Sequence, residues 1–443
     1  MESRASAVVN GTSTTLQVTR NIAGGVYTAA TVAHPGLGIS LFLMMLGNEQ
    51  IELLQFINVL YPEFVYVVFQ TMGNDLFPNF FTILFKSDDF DEETYIVERG
   101  AFHSSERSGI YLEEGGPKLS QLIGIAILMV ILRKLKDRLL KHESQTVKNI
   151  FENAWTMCHY NYFLAILYGD FAGLLLSALL QFEVPITGSF YTVLSFILGL
   201  ATLAFYAAAS PYLYYKMVYI HKHVQNQKED AEHPPEVQDL MSKVELLYGD
   251  MKTESEKQFF FFFLMIADNL VLVLTMSYVQ WSPVLQILLC IASSIGAIVL
   301  VHKWQPFKEE TTTVLMIFNK ASLGVMAAVA SLLLFDEDGE GEEKGGFKYG
   351  VGATMVALVA INMIVNLLLS FKALFLGIWK FLQLLKQRLS AIEMPTWRLS
   401  RNRKVAPIDD SQENQTTESA TERSVKAPGN SSFEEPKNTQ SSS

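Results

Sequence analysis

Long apolar runs separated by polar segments dominate the pattern of this chain. The clearest, residues 259–279, reads FFFFFLMIADNLVLVLTMSYV, and residues 283–301, PVLQILLCIASSIGAIVLV, follow almost at once. A bilayer's hydrocarbon core takes roughly 20 mostly apolar residues per helical crossing. Backbone amides find no water there, so a crossing segment is either a helix or a strand of a closed barrel. These runs are solid rather than alternating, which is the helical pattern. The expected fold is all-α, a polytopic helical transmembrane bundle.

Nine candidate spans can be marked. Seven are well formed, near 119–132, 160–180, 190–212, 259–279, 283–301, 314–335 and 350–376. The first two, 24–46 and 50–70, are interrupted. One holds Pro35 and several glycines; the other holds Glu52, Gln55, Asn58, Pro62 and Glu63. One span plus an interfacial helix in their place gives eight.

Lys and Arg in the connections favour the cytoplasmic side. RKLKDRLLKH follows residue 132, KMVYIHKHVQNQK begins at Lys216, HKWQPFK begins at His302, and a basic series runs from Lys380 to Lys404. The intervening connections are acidic, as in DDFDEE at 88–93 and DEDGEGEEK at 336–344, or short and nearly uncharged. The two kinds alternate across the seven firm spans, which puts the C-terminus inside and, with nine spans, the N-terminus outside. The expected divisions are a polar segment at 1–23, a membrane domain at 24–385 with an acidic outer loop at 73–110 and a cytosolic loop at 216–257, a basic stretch at 386–405, and a Ser/Thr-rich tail at 406–443. The tail holds too little apolar surface to offset its ordering entropy, so disorder is expected there.

Composition agrees with this class. Of 443 residues, 50% are hydrophobic and 18% charged, against roughly a quarter charged in soluble domains. The mean hydropathy is +0.23. A net charge of −11 does not favour nucleic acid. Two cysteines, Cys158 and Cys290, give neither a disulfide framework nor thiolate metal spacing. No cleavable signal sequence is visible. No Walker loop, GxSxG or HExxH occurs, so neither an enzyme nor a cofactor is expected. A potassium-filter motif and a regular arginine voltage sensor are absent too.

Polar residues inside the apolar runs carry the functional argument. An ionisable group at the bilayer centre costs about 3 kcal/mol on insertion scales, so it faces a bundle interior or a water-filled path. Asp170, Asp268, Asn269, Asn319 and Lys320 are such residues, and they form the candidate polar path or gate. Asn362 and Asn366, four apart, share one helix face. The spans of Asp268 and Lys320 start from the same side, at depths within about one turn, so a buried pair is possible. Asp170 with Lys320 is the other pairing considered. The competing view is a neutralised pair that only locks packing.

The small residues Gly169, Ala172, Gly173 and Ser177, and likewise Ser293, Ser294 and Gly296, suit close helix approach. The acidic outer segments lack calcium-loop spacing and read as solvated loops that draw cations electrostatically. Near the end, Phe375, Trp379, Leu382 and Leu385 recur at helical spacing. This suits a helix bending into the inner interface, with Lys380, Lys386, Arg388, Arg401, Arg403 and Lys404 contacting anionic lipid head groups. Asn10, in Asn10-Gly11-Thr12, is a candidate glycosylation site if the N-terminus lies outside.

Three segments carry a resemblance: ELLQFINVLYPEF at 52–64, YGDMKTESEKQFFFFFLMI at 248–266 and HKWQPFKEETTTVLMIFNK at 302–320. Together they resemble the multi-span region of protist membrane proteins related to the fungal TRP-like and polycystin-like channels, over about 24–385. The resemblance implies a channel or carrier of the plasma membrane or an endomembrane. Such relatives often carry a cysteine-rich ectodomain before the first span, where this chain has about 23 polar residues. It supplies no catalytic residues.

The expected function is cation conduction, or a channel-like sensory role, along a path between helices. An alternating-access carrier is the alternative, although no internal repeat is evident. A non-conducting scaffold or accessory subunit is the third reading. The expected partners are the bilayer, anionic lipids, cations, and further copies or other membrane subunits.

Overall fold

The computed structural model describes residues 38–73, 78–87, 90, 93–139, 162–186, 188–226, 234–249, 251–336 and 342–393. Asn10, Arg401, Arg403, Lys404, the polar N-terminal segment and the tail lie outside them, as do most of 88–92 and of 336–341. The chain divides into two compact units, Met1–Lys386 and Gln387–Ser443; of the second, 387–393 are described and helical.

All regular elements among the described residues are helical, apart from two isolated bridges. The longer helices are α1 (Gly38–Glu52), α2 (Glu63–Gly73), α3 (Gly116–Leu139), α4 (Tyr162–Gly169), α5 (Phe171–Leu180), α6 (Phe190–Asn226), α7 (Pro235–Lys243), α8 (Phe261–Tyr278), α9 (Pro283–Trp304), α10 (Glu310–Ala330) and α11 (Glu342–Glu393). Local chemistry sets several boundaries. Ser282 caps α9 by accepting from the Leu285 amide, with Pro283 at the first turn where a missing N–H costs nothing. At the other end Gln305 turns the chain out in the left-handed conformation, φ 44°. Ser255 and Gln258 form a reciprocal capping box before α8.

Five helices among the described residues are long and apolar enough to cross a membrane: Phe190–Val224, Phe261–Tyr278, Pro283–Trp304, Glu310–Phe335 and Gly346–Leu369. The count is six if α4 and α5, bent by 57° at Asp170, form one broken span. The expected nine are not supported among the described residues. The segment 24–46 lies largely outside the described residues. The segment 50–70 is no continuous helix: α1 ends at Glu52, a 3-10 turn covers Leu53–Phe56, and α2 starts only after Pro62. Among the described residues, α3 offers the apolar stretch Gly116–Ile131.

Of the loop expected at 73–110, the acidic run at 88–93 lies mostly outside the described residues. From Tyr95 to Leu112 the chain packs as a cap, with Tyr95, Val97, Phe102, Ile110 and Tyr111 buried. Phe102 meets Phe56 with ring centroids 5.0 Å apart, and the Ala101 amide donates to Gln280 Oε1 at 3.0 Å. The basic positions Lys380, Lys386 and Arg388 all lie within α11, which runs to Glu393.

The core is organised around α1, which packs against α2, α4, α5 and α10, while α9 and α10 pair along their lengths and α5 lies against α6 and α8. Gly47 and Gly169 make the approach to α1 close. A Cβ on Gly47 would sit 2.5 Å from Asn319 Nδ2, and one on Gly169 would sit 3.2 Å from the Met45 methyl. The small-residue stripe on 169–177 thus packs against α1, with Ala172 and Ser177 buried.

One end of the bundle joins the break after α1 to the α8–α9 turn. Asn58 donates from Nδ2 to the Gln280 carbonyl at 2.8 Å, and its amide donates to Gln286 Oε1 at 2.8 Å. Gln280 Nε2 donates to the Phe56 carbonyl at 2.9 Å. Side-chain amides therefore satisfy backbone groups that the broken helix frees, the requirement for irregular backbone inside an apolar bundle. At the other end Met251 pairs with Phe307 across a short bridge, and Gln258 Nε2 donates to the Trp304 carbonyl at 2.9 Å.

Candidate functional site

Asp268 lies midway along α8 and Lys320 midway along α10, and the two side chains form an ion pair. The Lys320 side chain is 2% exposed and that of Asp268 17%. Helix periodicity brings them together: Lys320 falls on the face of α10 that also buries Met316, Asn319 and Leu323. Asp268 also accepts from Ser293 Oγ of α9 and, at 3.5 Å, from Gln50 Nε2 of α1. The same Gln50 amide donates to Asn269 Oδ1. One carboxylate therefore collects donors from three other helices. Asn269 Nδ2 is buried with no hydrogen-bond partner among the described residues.

A second polar run leaves this cluster. Asn319 Nδ2 donates to the Leu43 carbonyl of α1 at 3.4 Å, Asn362 Nδ2 donates to Asn319 Oδ1 at 3.3 Å, and Asn366 Nδ2 donates to Asn362 Oδ1 at 2.7 Å. All three asparagines are at most 2% exposed. Their ladder carries hydrogen bonding from α1 through α10 to α11.

Asp170 belongs to a separate cluster. It sits at the α4–α5 break and pairs with Lys118 of α3 at 2.7 Å, so the Asp170–Lys320 pairing is not formed. Beside it, Glu49 of α1 accepts from the Ala172 amide at 3.2 Å. A carboxylate at the first turn of α5 complements the positive end of that helix and satisfies one of its free amides. Glu49 and Gln50 are consecutive in α1, so the two clusters flank one helix end.

Five sequence candidates thus resolve into two groups: Asp268, Asn269, Asn319 and Lys320 in one network, and Asp170 in another. Lys380, Lys386 and Arg388 lie along α11, remote in sequence from both. Sequence reasoning missed Glu49, Gln50 and Lys118 as partners. The first two fell at the junction of the two weakest candidate spans, 24–46 and 50–70, where nothing in their spacing showed which helix they face. Ser293 was assigned to packing, yet it donates to Asp268.

No family model matches the chain, and neither a curated protein nor a solved structure does. The several apolar helices are those of an integral membrane protein.

Proposed function

We propose that this chain translocates small cations across the plasma membrane or an endomembrane, along a path that follows Gln50, Asp268, Asn269, Asn319 and Lys320 and is held closed by the Asp268–Lys320 pair. The observation that carries the reading is a lysine buried midway along an apolar helix, neutralised by one carboxylate that also binds Ser293. An anchor needs no such charge, and each charge at the bilayer centre opposes insertion. A lysine ammonium in a cation path repels the passing ion; paired with Asp268 it presents little net charge. Parting the pair frees Asp268 to hold a cation while Lys320 withdraws, so pairing and conduction exclude each other. The asparagine ladder supplies neutral oxygens and amides beyond the pair. A TRP-like channel, as the three resembling segments imply, is one form such a protein takes.

The break at Asp170 favours a second reading, a carrier working by alternating access. Broken helices whose half-helix ends face a binding site are a carrier feature, and α4 and α5 meet at 57° beside Glu49 and Lys118. Reconstitution of the purified chain into liposomes, with current recording and tracer-cation flux in parallel, decides. Discrete current steps abolished by Asp268→Asn support the channel. Saturable flux without steps supports the carrier. No cation movement in either assay overturns both and leaves a scaffold or accessory role.

A further inference from the structure

The α4–α5 break gathers more negative charge than positive. Asp170 stands at the break with its side chain 5% exposed, and its Oδ1 takes the Lys118 ammonium at 2.7 Å. Its Oδ2 is buried and has no hydrogen-bond partner among the described residues. Nor does its side chain cap α5, although Asp170 occupies the capping position. That place is taken by Glu49 of α1, whose Oε2 accepts from the Ala172 amide, while a Cβ on Gly173 would lie 3.4 Å from its Oε1. The two carboxyls are therefore neighbours and act on one another's charge, and Lys118 and Glu52 act on Glu49 as well. From α6, Tyr206 lies in the same field, but its hydroxyl donates to the Leu167 carbonyl. Asp268 and Lys320, the charges that α8 and α10 bring to α1, pair with each other beside Gln50.

We propose that Glu49 and Asp170 form a proton-binding site and share one proton, drawn from water, at neutral pH. Two carboxylates against the single ammonium of Lys118 leave one negative charge uncompensated beside the buried Phe171 and Ala172. An unpaired ion out of water is costly, and one of two neighbouring carboxyls takes up a proton rather than leave both ionised. The proton supplies the donor that Asp170 Oδ2 lacks. The Ala172 amide and the positive end of α5 favour the ionised form of Glu49, so the proton is exchangeable rather than permanently held. Uptake breaks no other bond: a hydronium ion gives up its proton and leaves as water. Counted over Glu49, Asp170 and Lys118, the charge goes from one negative to none. The site stands apart from the Asp268–Lys320 path and holds whether or not that path conducts.

Infrared spectroscopy of the full-length chain in nanodiscs tests it, through the carbonyl stretch of a protonated carboxyl, identified by its shift in heavy water. The parent is expected to show this band at neutral pH. Glu49→Gln and Asp170→Asn are each expected to remove one carboxyl's intensity from it, because Lys118 matches whichever carboxylate remains. Lys118→Met is expected to add one carboxyl's intensity, and Glu52→Gln to leave the band as it was. Glu49→Gln keeps an oxygen for the Ala172 amide, so its fold does not depend on the charge under test. An unchanged band in Glu49→Gln or Lys118→Met overturns the proposal. A loss in only one of the two carboxyl variants assigns the proton to a single group, and a loss in Glu52→Gln assigns it elsewhere; either overturns the sharing. A band that appears only in sodium-free buffer gives the site to that ion and overturns the proton reading too. The readout is the proton itself, so none of these outcomes depends on transport past Asp268 and Lys320.

Discussion

Lys320 and Asp268 show how much depends on two side chains. Removing one partner of a buried pair strands the other charge, which costs about 3–5 kcal/mol, whereas replacing both with apolar residues is often neutral. Asp268→Ala and Lys320→Met are each expected to lower the melting temperature in detergent sharply, and the double variant to recover most of the loss. If the double variant is as unstable as the sum of the singles, the two residues do not act as a pair. Exchange of the charges, Asp268→Lys with Lys320→Asp, is expected to restore part of the transport that either change alone abolishes. Gly100 carries a second residue-scale prediction. Its φ is +50°, and an added Cβ would lie 2.4 Å from Gln280 Oε1, the acceptor of the Ala101 amide. Gly100→Ala is expected to destabilise by about 1–3 kcal/mol in denaturant titration, with the cap as the part that loosens. The charged pair was legible in the sequence because a charge inside an apolar run stands out and helical rise fixes its depth. Its third and fourth partners were not, because a serine or glutamine on an apolar helix looks the same whether it binds a neighbouring backbone or a distant carboxylate.

Among the elements, α1 departs furthest from its sequence signature. Its glycines and polar residues weakened it as a span, and those same residues are what it uses: Gly47 admits Asn319, Glu49 meets the start of α5, and Gln50 reaches Asn269. Long solid runs such as those of α8 and α9 were readable because burial and lipid demand the same residue types. A helix that holds others together by polar contacts shows no such run. Glu49→Gln keeps the shape and removes the charge facing the α5 terminus, an interaction of about 0.3–2 kcal/mol; a small fall in melting temperature is expected, larger for Glu49→Ala, which also loses the bond to Ala172. The short helical turn after α7 carries a pH prediction. Burial pushes the Glu245 carboxyl above its ordinary value of 4.5, with Lys308 opposing the rise. A group that holds its proton more tightly when folded contributes stability that is complete below 4.5 and is lost as pH rises through the folded value. Glu245→Gln is therefore expected to flatten the decline in stability as pH rises above 4.5, read from melting curves at stepped pH.

At the scale of the whole molecule, contacts between distant segments group the connections into two ends independently of charge. Arg99 bonds the Ser277 carbonyl and pairs with Glu183 at 2.9 Å, so the ends of α5 and α8 share one end with the cap. The Lys252 amide donates to the Pro306 carbonyl at 2.7 Å and Lys308 Nζ to the Gly249 carbonyl at 2.7 Å, which ties the start of α8 to the α9–α10 turn at the other. The cationic segments, at 216–226 and 302–308, fall with this second group, His221 stacking on Phe259 just before α8, while Glu183 and the cap fall with the first. On the positive-inside preference we propose that the second group faces the cytoplasm. Single cysteines are expected to label accordingly: Ile186→Cys, Trp281→Cys and Phe335→Cys from the outer side by a membrane-impermeant reagent, and Pro235→Cys and Lys308→Cys only after permeabilisation. The test separates the bundle's geometry from its orientation. Complete inversion, with each group still labelling together, would preserve the crossings and reverse the charge argument. Labelling of Trp281→Cys and Lys308→Cys from the same side would mean that α9, the most apolar of the candidate spans, does not cross, and the membrane reading of the whole bundle would fall with it.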